Sequence, residues 1–545
     1  MEILKVENLS FTYPLCSEPT VRSVSFSVEK GEFIVLCGAT GSGKSTLLHT
    51  LKRELTPNGE LTGKIIFEGA ELSSLEPKRS AAEIGFVMQS PQHQIVTDKV
   101  WHELAFGLES LGLPQDEISR RVAETASAFG LGELYERETE ELSGGQKQLL
   151  SLAAVLVMQP KLLILDEPTA QLDPIAASEF ITTVKKLNQD YGITVIMSEH
   201  RLEEAVTVCD RLMVMEKGTI IVDDIPEKAV SCLGDRPDIL RGMPSAARLF
   251  TELNGRGICP LTVRSGRSFI EKNYGNFLKD LPEEKYIHSS NAAIEFSNVF
   301  FRYEKKSPDI LKGMTLKVYE GELFCVLGGN GSGKTSFLKA ASGLVKPYSG
   351  SIKIFGEKLS SYKNQSLYRN CLTMLPQDVQ TVFLKNTVRE ELEECGANTE
   401  ELPFDLSQIM DKHPYDISGG QQQLVALAKA LASDPRLILL DEPTKGLDAM
   451  SKLRIISVLR SLTNSGTTVL IVTHDVEFAA ECSDRCALFF NGKTAAPDIP
   501  RRFFSKNSFY TTAVSRMTRG IFGSAATVAD AVKLCRMNSE RGGIP

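Results

Sequence analysis

Two glycine-rich segments of the chain have the residue types and spacing of a phosphate-binding loop. GATGSGKST begins at Gly38 and GGNGSGKTS begins at Gly328, and each lies between an apolar run and an amphipathic one. Backbone N–H groups of glycines can surround phosphate oxygens without interference from a Cβ, and the start of the next helix adds partial positive charge. Lys44 and Lys334 are predicted to reach the terminal phosphates. The residues predicted to bind are Gly38, Ala39, Thr40, Gly41, Ser42, Gly43, Lys44, Ser45 and Thr46, with Gly328, Gly329, Asn330, Gly331, Ser332, Gly333, Lys334, Thr335 and Ser336.

An aspartate and a glutamate end an apolar run in each half of the chain, in LLILDE and in LILLDE. Carboxylates at the polar end of a buried strand, downstream of a phosphate loop, can complete the shell of a Mg²⁺ ion that accompanies a nucleotide. Glu167 and Glu442 are predicted to be catalytic and to polarise the attacking water as general bases. The predicted Mg²⁺ ligands are Ser45, Gln89, Asp166, Thr335, Gln377 and Asp441.

A histidine follows a further apolar run in each half, thirty-three residues after the glutamate for His200 and thirty-two for His474. A single histidine in such a place is usually structural, but the matched spacing predicts that each contacts the γ-phosphate and helps to position the water. Gln89 and Gln377 end apolar runs beyond the loop lysines, where each can bridge Mg²⁺ and the helical segment that follows. The histidines without such pairing are predicted to be structural: His49, His93, His102, His288 and His413.

An aromatic residue precedes each phosphate loop in two matching openings, VENLSFTYP and FSNVFFRYE. Tyr13 and Tyr303 are predicted to stack on the adenine of a bound nucleotide, because an aromatic ring offers adenine a flat apolar face. Packing within the core is the alternative for both rings.

The segment LSGGQKQLLSLAAVL at Leu142 returns as ISGGQQQLVALAKAL at Ile417. Apolar residues at i, i+3, i+4 and i+7 in both copies predict an amphipathic helix that begins just after SGG. A serine and two glycines at that start expose backbone N–H groups, which predicts a second anion-binding helix end in each half. A single domain cannot easily bring its phosphate loop and this second helix end to the same nucleotide. The residues predicted to bind there are Ser143, Gly144, Gly145 and Gln146, with Ser418, Gly419, Gly420 and Gln421.

The motifs recur in the same order in both halves, which indicates an internal duplication. Strands must precede the phosphate loops and the acidic pairs, and helices must follow them. The predicted fold class is therefore α/β, with two P-loop NTPase domains in tandem. The segment between the glutamine and the SGGQ serine, helical by the spacing of its apolar residues in the first half, is thirteen residues shorter in the second.

The predicted domains are residues 1–240 and 291–505, joined by a connector at 241–290 and followed by a tail at 506–545. Thr527 and Asp530 in the tail have the spacing of a helix capping box, which predicts a small docked helix there.

The chain has 545 residues, of which 42% are hydrophobic and 24% charged, and it is too long for one hydrophobic core. Its longest apolar runs are far shorter than the roughly 20 residues of a membrane-spanning helix, and the N-terminus does not resemble a signal peptide. A net charge of −8 argues against a nucleic-acid partner. We expect a cytoplasmic protein that needs separate partners for any work at a membrane.

Taken together, these motifs resemble the ATP-binding cassette (ABC) superfamily, in which the phosphate loop, glutamine, SGGQ, LLILDEPT and histidine have this order. The resemblance covers about residues 1 to 240 and 291 to 495. It implies ATP and Mg²⁺ as ligands, ATP hydrolysis, and domains with a RecA-like α/β core, an antiparallel β subdomain and a helical subdomain. It also implies that the two cassettes pair head to tail within the chain. Lys44 would then face Ser418 across one ATP, and Lys334 would face Ser143 across the other.

The sequence departs from the family pattern at two points, Ile417 in place of leucine and SEH at residues 198–200 where THD is commoner. QSPQHQIVTDKVWHELAFGLESLGLP resembles the region after the glutamine in energy-coupling-factor importer ATPases. CPLTVRSGRSFI and FFSKNSFYTTA resemble segments of the fused, two-cassette members of that group. This resemblance implies a peripheral subunit on the cytoplasmic face of the membrane that drives uptake of a vitamin, its precursor or a metal ion. The implied partners are an integral membrane T component and substrate-binding S components.

Two alternatives remain open at this point. Soluble double-cassette ATPases that act on the ribosome share the motifs, but they carry a long, strongly charged helical linker. This connector is punctuated by glycine and proline and is only moderately charged. ATPases of other ABC importer classes differ in cargo alone. No residue of the chain is expected to contact cargo, so the sequence leaves the transported substrate open.

Overall fold

The computed structural model of the protein describes residues 1–14, 16–274, 280–283, 286, 288–363, 366–400 and 402–539. The chain divides into two compact units. The first unit comprises Met1–Ala247 and Arg256–Thr262, and the second comprises Arg248–Gly255 and Val263–Pro545. Parts of the predicted connector (275–279, 284, 285 and 287) and the end of the predicted tail (540–545) lie outside the described residues.

The first unit alternates strands with helices after an initial antiparallel hairpin. Its strands are β1 (Glu2–Thr12), β2 (Val21–Glu29), β3 (Phe33–Cys37), β4 (Glu60–Phe67), β5 (Ala70–Glu71), β6 (Ile84–Val87), β7 (Leu162–Asp166), β8 (Thr194–Ser198), β9 (Arg211–Glu216) and β10 (Thr219–Asp224). Its helices are α1 (Lys44–Thr50), α2 (Pro77–Glu83), α3 (Val100–Leu111), α4 (Gln115–Ala128), α5 (Gly144–Leu156), α6 (Pro174–Tyr191), α7 (Leu202–Val208), α8 (Pro226–Ser231) and α9 (Pro237–Leu240). The boundary between the units falls within α10 (Ser245–Glu252).

The second unit repeats this order and continues into further helices. It contains α11 (Val263–Tyr274) and the strands β11 (Ala292–Phe301), β12 (Leu311–Tyr319), β13 (Leu323–Leu327), β14 (Ser349–Ile354), β15 (Glu357–Lys358), β16 (Leu372–Leu375), β17 (Leu437–Asp441), β18 (Thr468–Thr473), β19 (Arg485–Phe490) and β20 (Lys493–Asp498). Its other helices are α12 (Lys334–Ala341), α13 (Val388–Glu394), α14 (Gly419–Leu431), α15 (Ala449–Asn464), α16 (Val476–Cys482), α17 (Pro500–Lys506), α18 (Ala513–Thr518) and α19 (Val528–Asn538).

Each unit holds a four-stranded antiparallel sheet and a six-stranded sheet. The strand orders are β2-β1-β4-β5 and β10-β9-β3-β8-β7-β6 in the first unit, and β12-β11-β14-β15 and β16-β17-β18-β13-β19-β20 in the second. The six-stranded sheets are parallel except at the terminal hairpins, where β10 pairs with β9 and β20 pairs with β19 in antiparallel fashion. The predicted tandem α/β fold is confirmed.

The central parallel strands position the motifs because both faces of the sheet are covered. All five residues of β3, of β7 and of β8 are buried, as expected for strands with helices on both sides. β3 lies between β8 and β9, and β7 pairs with β8 in parallel. The carboxyl ends of these strands therefore meet at one edge of the sheet, where the phosphate loop, the acidic pair and the histidine all follow.

The helical segments after the two glutamines differ in length. In the first unit α3 and α4 pack through a cluster that includes Val100, Leu104 and Leu108. In the second unit the described residues between α13 and α14 form only short 3₁₀ turns, at Ser407–Ile409 and Pro414–Asp416. The thirteen-residue difference in the sequence thus corresponds to the loss of α4 and a shorter counterpart of α3.

The predicted tail is part of the second unit and contains helices α18 and α19, whereas α17 ends the predicted second domain. The capping box predicted from the sequence is confirmed, since the Thr527 hydroxyl accepts from the Asp530 backbone N–H at 3.2 Å and the Asp530 carboxylate accepts from Thr527 N–H at 3.1 Å. No helix in the described part of the chain is long and apolar enough to cross a membrane.

Candidate functional site

The glycine-rich loop of the first unit joins β3 to α1 and depends on Gly43. This residue precedes α1 in the left-handed region at φ 101°, and a Cβ at this position would lie 2.7 Å from the backbone oxygen of Thr20. Glycine is the residue that satisfies both conditions. The Lys44 ammonium group donates to the carbonyl oxygens of Gly38 at 2.9 Å and Ala39 at 3.1 Å. The lysine thus lies over the loop, beside the backbone N–H groups that bind phosphate in loops of this kind.

The glycine-rich loop of the second unit has the same geometry. Gly333 precedes α12 at φ 105°, and the Lys334 ammonium group donates to the carbonyl oxygens of Gly328 at 2.8 Å and Gly329 at 3.0 Å. Both lysines are almost fully buried. A phosphate group would replace neutral carbonyl acceptors with charged oxygens, which form stronger hydrogen bonds with ammonium.

Asp166 ends β7 beside the start of α1. It accepts hydrogen bonds from the Ser45 hydroxyl at 3.1 Å and from the Ser198 hydroxyl at 2.7 Å. Burial raises the pKa of this carboxyl, the hydrogen bond from Ser198 opposes that effect, and the neighbouring Glu167 adds to it. The structure therefore brings the predicted Mg²⁺ ligands Ser45 and Asp166 into direct contact.

Glu167 is the residue on which the other predicted groups of the first unit converge. The Gln89 amide donates to its Oε2 at 2.8 Å, and His200 Nε2 lies 2.7 Å from its Oε1. The Lys44 ammonium group is 4.0 Å from the same carboxylate. Groups from three other segments, far apart in the sequence, thus meet at one buried carboxylate.

The corresponding carboxylate of the second unit, Glu442, is held by a closely related set of contacts. His474 Nδ1 lies 2.9 Å from its Oε2, the Thr473 hydroxyl donates to the same oxygen at 3.1 Å, and the Lys334 ammonium group lies 3.3 Å from Oε1. Burial alone would raise the pKa of Glu442, but the hydrogen bond from His474 and the charge of Lys334 outweigh burial and lower it. This carboxylate is therefore ionised at neutral pH and can accept a proton.

Both glutamates adopt an unusual backbone conformation at the end of their strands. Glu167 has φ 45° and Glu442 has φ 49°, in the left-handed region that non-glycine residues seldom occupy. In each unit the N–H of the glutamate donates to the neighbouring strand, to the Ser198 carbonyl at 3.2 Å and to the Val472 carbonyl at 2.9 Å. Backbone strain of this kind costs of order 1–3 kcal/mol and is concentrated at functional sites.

The acidic residue before Glu442 offers oxygen atoms that a cation could use. Both carboxylate oxygens of Asp441 are buried and make no hydrogen bond among the described residues. Burial raises the pKa of Asp441, whereas the nearby Thr335 hydroxyl lowers it. A buried carboxylate beside a hydroxyl at a helix start is a set of hard oxygen donors of the type that Mg²⁺ binds. The residues present therefore fit a Mg²⁺ ion that accompanies a nucleotide.

The tyrosines predicted to bind ATP occupy equivalent positions in the two units, whereas the predicted glutamines do not. The hydroxyl of Tyr13 is 3.1 Å from that of Thr46, and the hydroxyl of Tyr303 is 3.1 Å from that of Ser336. Both tyrosines thus lie against the first turn after a phosphate loop. Gln377 is exposed and, in the described part of the chain, its side chain has no counterpart of the bond from Gln89 to Glu167.

The SGGQ segments begin helices slightly earlier than predicted. α5 starts at Gly144 and α14 at Gly419, so the glycines are the first helical residues and do not precede the helix. The reason is a reciprocal capping box. The Ser143 hydroxyl accepts from Gln146 N–H at 3.3 Å, the Gln146 side chain accepts from Ser143 N–H at 2.9 Å, and Ser418 and Gln421 repeat this arrangement.

The structure adds residues that sequence reasoning did not place in the site. Ser198 bonds to Asp166, and Thr473 bonds to Glu442. His49, which is predicted to be structural, has its Nε2 3.9 Å from Asp166. The spacing of Ser45 and His49 could have indicated this, because residues at i and i+4 share one face of a helix.

Glu199 is a further buried acid next to the first site. Burial raises the pKa of Glu199 to about 8, with Arg201 opposing the shift. Its carboxylate accepts from the Thr169 hydroxyl and from the His200 N–H. The matching residue of the second unit, one before the histidine, is the neutral Thr473.

Comparison with known proteins gives consistent matches along the chain. A family model described as ABC transporter matches residues 21–170 and 311–445. A protein of Bacillus thuringiensis that bears the name ABC transporter ATP-binding protein is 40% identical over 97% of this chain and 98% of its own length. A Streptomyces avermitilis protein with the same name is 33% identical over 91% of this chain and 93% of its own.

Among solved structures, a chain from the complex of an archaeal ribosomal stalk protein with an archaeal ribosome recycling factor matches this chain. That match has a TM-score of 0.59 and 20% identity, and it covers 92% of this chain and 91% of the other. At this identity the likeness is one of fold.

Proposed function

The chain belongs to the ABC transporter family, as an ATPase with two fused ATP-binding cassettes, and from this premise we propose that it powers an importer of the energy-coupling-factor type. In this proposal ATP hydrolysis at two sites drives the uptake of a small solute, such as a vitamin, its precursor or a metal ion. The solute passes through separate membrane proteins, a T component and S components. The protein works at the cytoplasmic face of the membrane.

The observation that carries the proposal is a pair of exposed apolar side chains at the same position of each cassette. Val96 and Leu384 follow Gln89 and Gln377 by seven residues and are 64% and 78% exposed. Solvent exposure of one apolar side chain is ordinary, but a matched pair seven residues after the glutamines predicted to bind Mg²⁺ suits contact with a partner. We assign these two positions to the surface that meets the membrane component.

The backbone beneath each exposed residue is fixed by a buried glutamate. The Glu103 carboxylate accepts from Val96 N–H at 3.1 Å and Thr97 N–H at 2.9 Å. Glu391 accepts from the N–H groups of Leu384 and Lys385 in the same way. A rigid loop of this kind can transmit force from a partner to the glutamine seven residues before it. In the first cassette this glutamine, Gln89, donates to Glu167.

The energy-coupling-factor assignment rests on sequence resemblance. It uses the stretch from Gln89 through α3, CPLTVRSGRSFI in the connector and FFSKNSFYTTA in the tail. The ABC transporter names of the relatives support a transport role in general terms. The absence of α4 from the second cassette, among the described residues, supports unequal contacts of the two cassettes with the membrane component.

The chemistry proposed for each cassette follows from its own side chains. The phosphate loop and Lys44 bind the β- and γ-phosphates, and Tyr13 stacks on adenine. Glu167, oriented by the Gln89 amide, accepts a proton from the attacking water, while His200 beside it contacts the γ-phosphate. Glu442 and His474 have the same roles in the second cassette. A Mg²⁺ ion held by the predicted ligands would neutralise charge on the β- and γ-phosphates.

We further propose that each ATP is shared between the cassettes. The capped starts of α5 and α14 offer backbone N–H groups and a serine hydroxyl, which suit the phosphates of a nucleotide bound by the other cassette. Lys44 would pair with Ser418, and Lys334 would pair with Ser143. Two copies of SGGQ are then the minimum for two complete sites in one chain.

The experiment is affinity purification of the tagged full-length protein from detergent-solubilised membranes of cells that encode it. We expect integral membrane proteins to co-purify with the wild-type chain and to be lost from the double variant Val96→Glu/Leu384→Glu. Tyr191→Glu, at a residue 72% exposed on the end of α6, is the matched control and should retain them. Each variant must first bind ATP normally, which verifies its fold.

Recovery of no integral membrane protein by the wild-type chain would contradict the transport proposal. ATP-dependent sedimentation with ribosomes would favour a ribosome-acting double cassette in its place. If membrane proteins are recovered equally by all variants, the transport role stands and the assigned docking surface is wrong.

A further inference from the structure

A tyrosine from the C-terminal segment lies against the phosphate loop of the second cassette. If Gly329 carried a Cβ, that atom would lie 3.3 Å from the hydroxyl oxygen of Tyr510, closer than Cβ atoms normally approach other groups. The carbonyl of Gly329 is also the acceptor of the Lys334 ammonium group, at 3.0 Å. The tyrosine hydroxyl therefore lies beside the loop residue to which the phosphate-binding lysine is bonded.

The segment that carries Tyr510 is held firmly on both sides. The Thr511 hydroxyl donates to the Phe504 carbonyl at 2.6 Å, and the Arg519 guanidinium donates to the Ser508 hydroxyl at 3.2 Å. At the start of α18, the Ala513 N–H donates to the Glu477 carboxylate at 2.8 Å. Glu477 belongs to α16, the helix that follows His474. The tail is thus tied to the same edge of the sheet as the catalytic residues.

The first cassette has the same anchor but lacks the tyrosine. At the start of α10, the Ser245 N–H donates to the Glu203 carboxylate at 2.8 Å, as Ala513 does to Glu477 in the second cassette. The third residue before this anchor is Gly242, where the second cassette has Tyr510. The loop residue also differs, because Ala39 stands where the second cassette has Gly329. At one position the second cassette has the larger residue, Tyr510 against Gly242. At the other position the first cassette has the larger residue, Ala39 against Gly329.

The difference between the cassettes at the loop position has a steric reason. Gly329 does not adopt a left-handed conformation, so its own backbone does not require glycine. The nearby hydroxyl of Tyr510 is the neighbour that disfavours a methyl group there. The methyl group of Ala39 has no such neighbour if the residue opposite it is Gly242.

We propose that Tyr510 is a positioning residue of the second ATP site, which packs against Gly329 and holds the phosphate loop in its binding conformation. ATP binding by the second cassette then depends on the C-terminal segment, and ATP binding by the first cassette does not. The two sites are unequal for this reason. The inference rests on the assignment of the second phosphate loop and is independent of any transport role.

The test measures each site separately in the full-length protein. Lys44→Ala removes the loop lysine of the first site, so that steady-state ATP hydrolysis and fluorescent-nucleotide titration report on the second site. In this background we expect Tyr510→Phe, which removes the hydroxyl that lies against Gly329, to raise KM for ATP about fivefold, with kcat within about twofold of its parent. A purely structural defect in the tail would lower kcat and thermal stability and leave KM unchanged.

Two controls identify the source of any change. Phe509→Ala alters the preceding residue, which is 95% exposed, and should leave KM unchanged. Tyr510→Phe in a Lys334→Ala background should leave nucleotide binding at the first site unchanged. Lys334→Ala itself must abolish binding at the second site. If it does not, the assignment of that loop fails, whatever Tyr510 does.

A double-mutant cycle tests the contact itself. Gly329→Ala should weaken ATP binding at the second site, and its cost should be at least about threefold smaller when Tyr510 is already phenylalanine. The matched substitution Ala39→Gly in the first cassette should show no dependence on Tyr510. Normal KM in Tyr510→Phe, or independent effects of the two substitutions at the second site, would overturn the proposal.

Discussion

His200 Nε2 lies 2.7 Å from Oε1 of Glu167 in the first cassette. In the second cassette the same pair of residue types meets through the other ring nitrogen, His474 Nδ1, at 2.9 Å from Glu442. Both arrangements place an imidazole beside the carboxylate that is proposed as general base. Substitutions in this pair are therefore expected to affect ATP hydrolysis directly.

Glu167→Gln is expected to leave ATP binding intact and to abolish hydrolysis at that site. The amide keeps the shape of the side chain but cannot accept a proton, and loss of a general base costs roughly 10²–10⁴-fold in rate. ATP turnover by the purified protein, together with equilibrium binding, measures both effects. Glu442→Gln is the matched variant of the other site. Turnover at the wild-type rate in the double variant would exclude both glutamates as bases.

Removal of Mg²⁺ should stop hydrolysis, and Asp441→Asn should raise the Mg²⁺ concentration needed for half-maximal turnover at the second site. Both oxygens of Asp441 are buried and make no hydrogen bond within the described part of the chain, so they are available to a cation. We expect an increase of about 10- to 100-fold, as found when groups of a metal site are altered. The measurement is a Mg²⁺ titration in a Lys44→Ala background. An unchanged titration curve would remove Asp441 from the proposed ligands.

Glu199 should make the stability of the protein depend on pH. The pKa of this carboxyl is about 8 in the folded state, above its ordinary value, so the folded state holds an extra proton between the two values. The stabilisation is therefore complete below the ordinary pKa and is lost as pH rises through about 8. We expect the free energy of unfolding to fall by roughly 2 kcal/mol between pH 6 and 8.

The variant Glu199→Gln provides the control for this dependence. It retains a hydrogen-bonding side chain at the same position but cannot ionise, so its stability curve should be flatter over that pH range. Denaturant unfolding followed by a probe in the first cassette measures the difference. Parallel curves for the two proteins would show that Glu199 does not titrate as described.

Much of the fold follows from local sequence patterns. The runs FIVLC and LLILD predict buried parallel strands, and the polar residues after them meet at one sheet edge for topological reasons. The ABC family and the tandem α/β fold are confirmed by the family match. The spacing of apolar residues does not predict the first residue of α5, because the capping box between Ser143 and Gln146 extends the helix back through two glycines.

Contacts between distant segments could not be predicted in the same way. The bond from Ser198 to Asp166 joins adjacent strands whose register is set by the whole sheet. The approach of Tyr510 to Gly329 depends on how the tail folds over the second cassette, and nothing in the spacing of either motif indicates it. Such contacts arise from tertiary packing, which local periodicity does not encode.

Each ATP is proposed to be shared between the phosphate loop of one cassette and the SGGQ segment of the other. The direct measurement is photolabelling with 8-azido-ATP, followed by peptide mapping that separates label near Tyr13 from label near Tyr303. Ser418→Arg places a bulky charged side chain at the start of α14, and Ser143→Arg is its matched counterpart at α5. Ser418→Arg is expected to abolish labelling near Tyr13, at the Lys44 site, and to spare labelling near Tyr303, at the Lys334 site, with the reverse for Ser143→Arg. Loss at the Lys334 site alone in Ser418→Arg would contradict the shared arrangement.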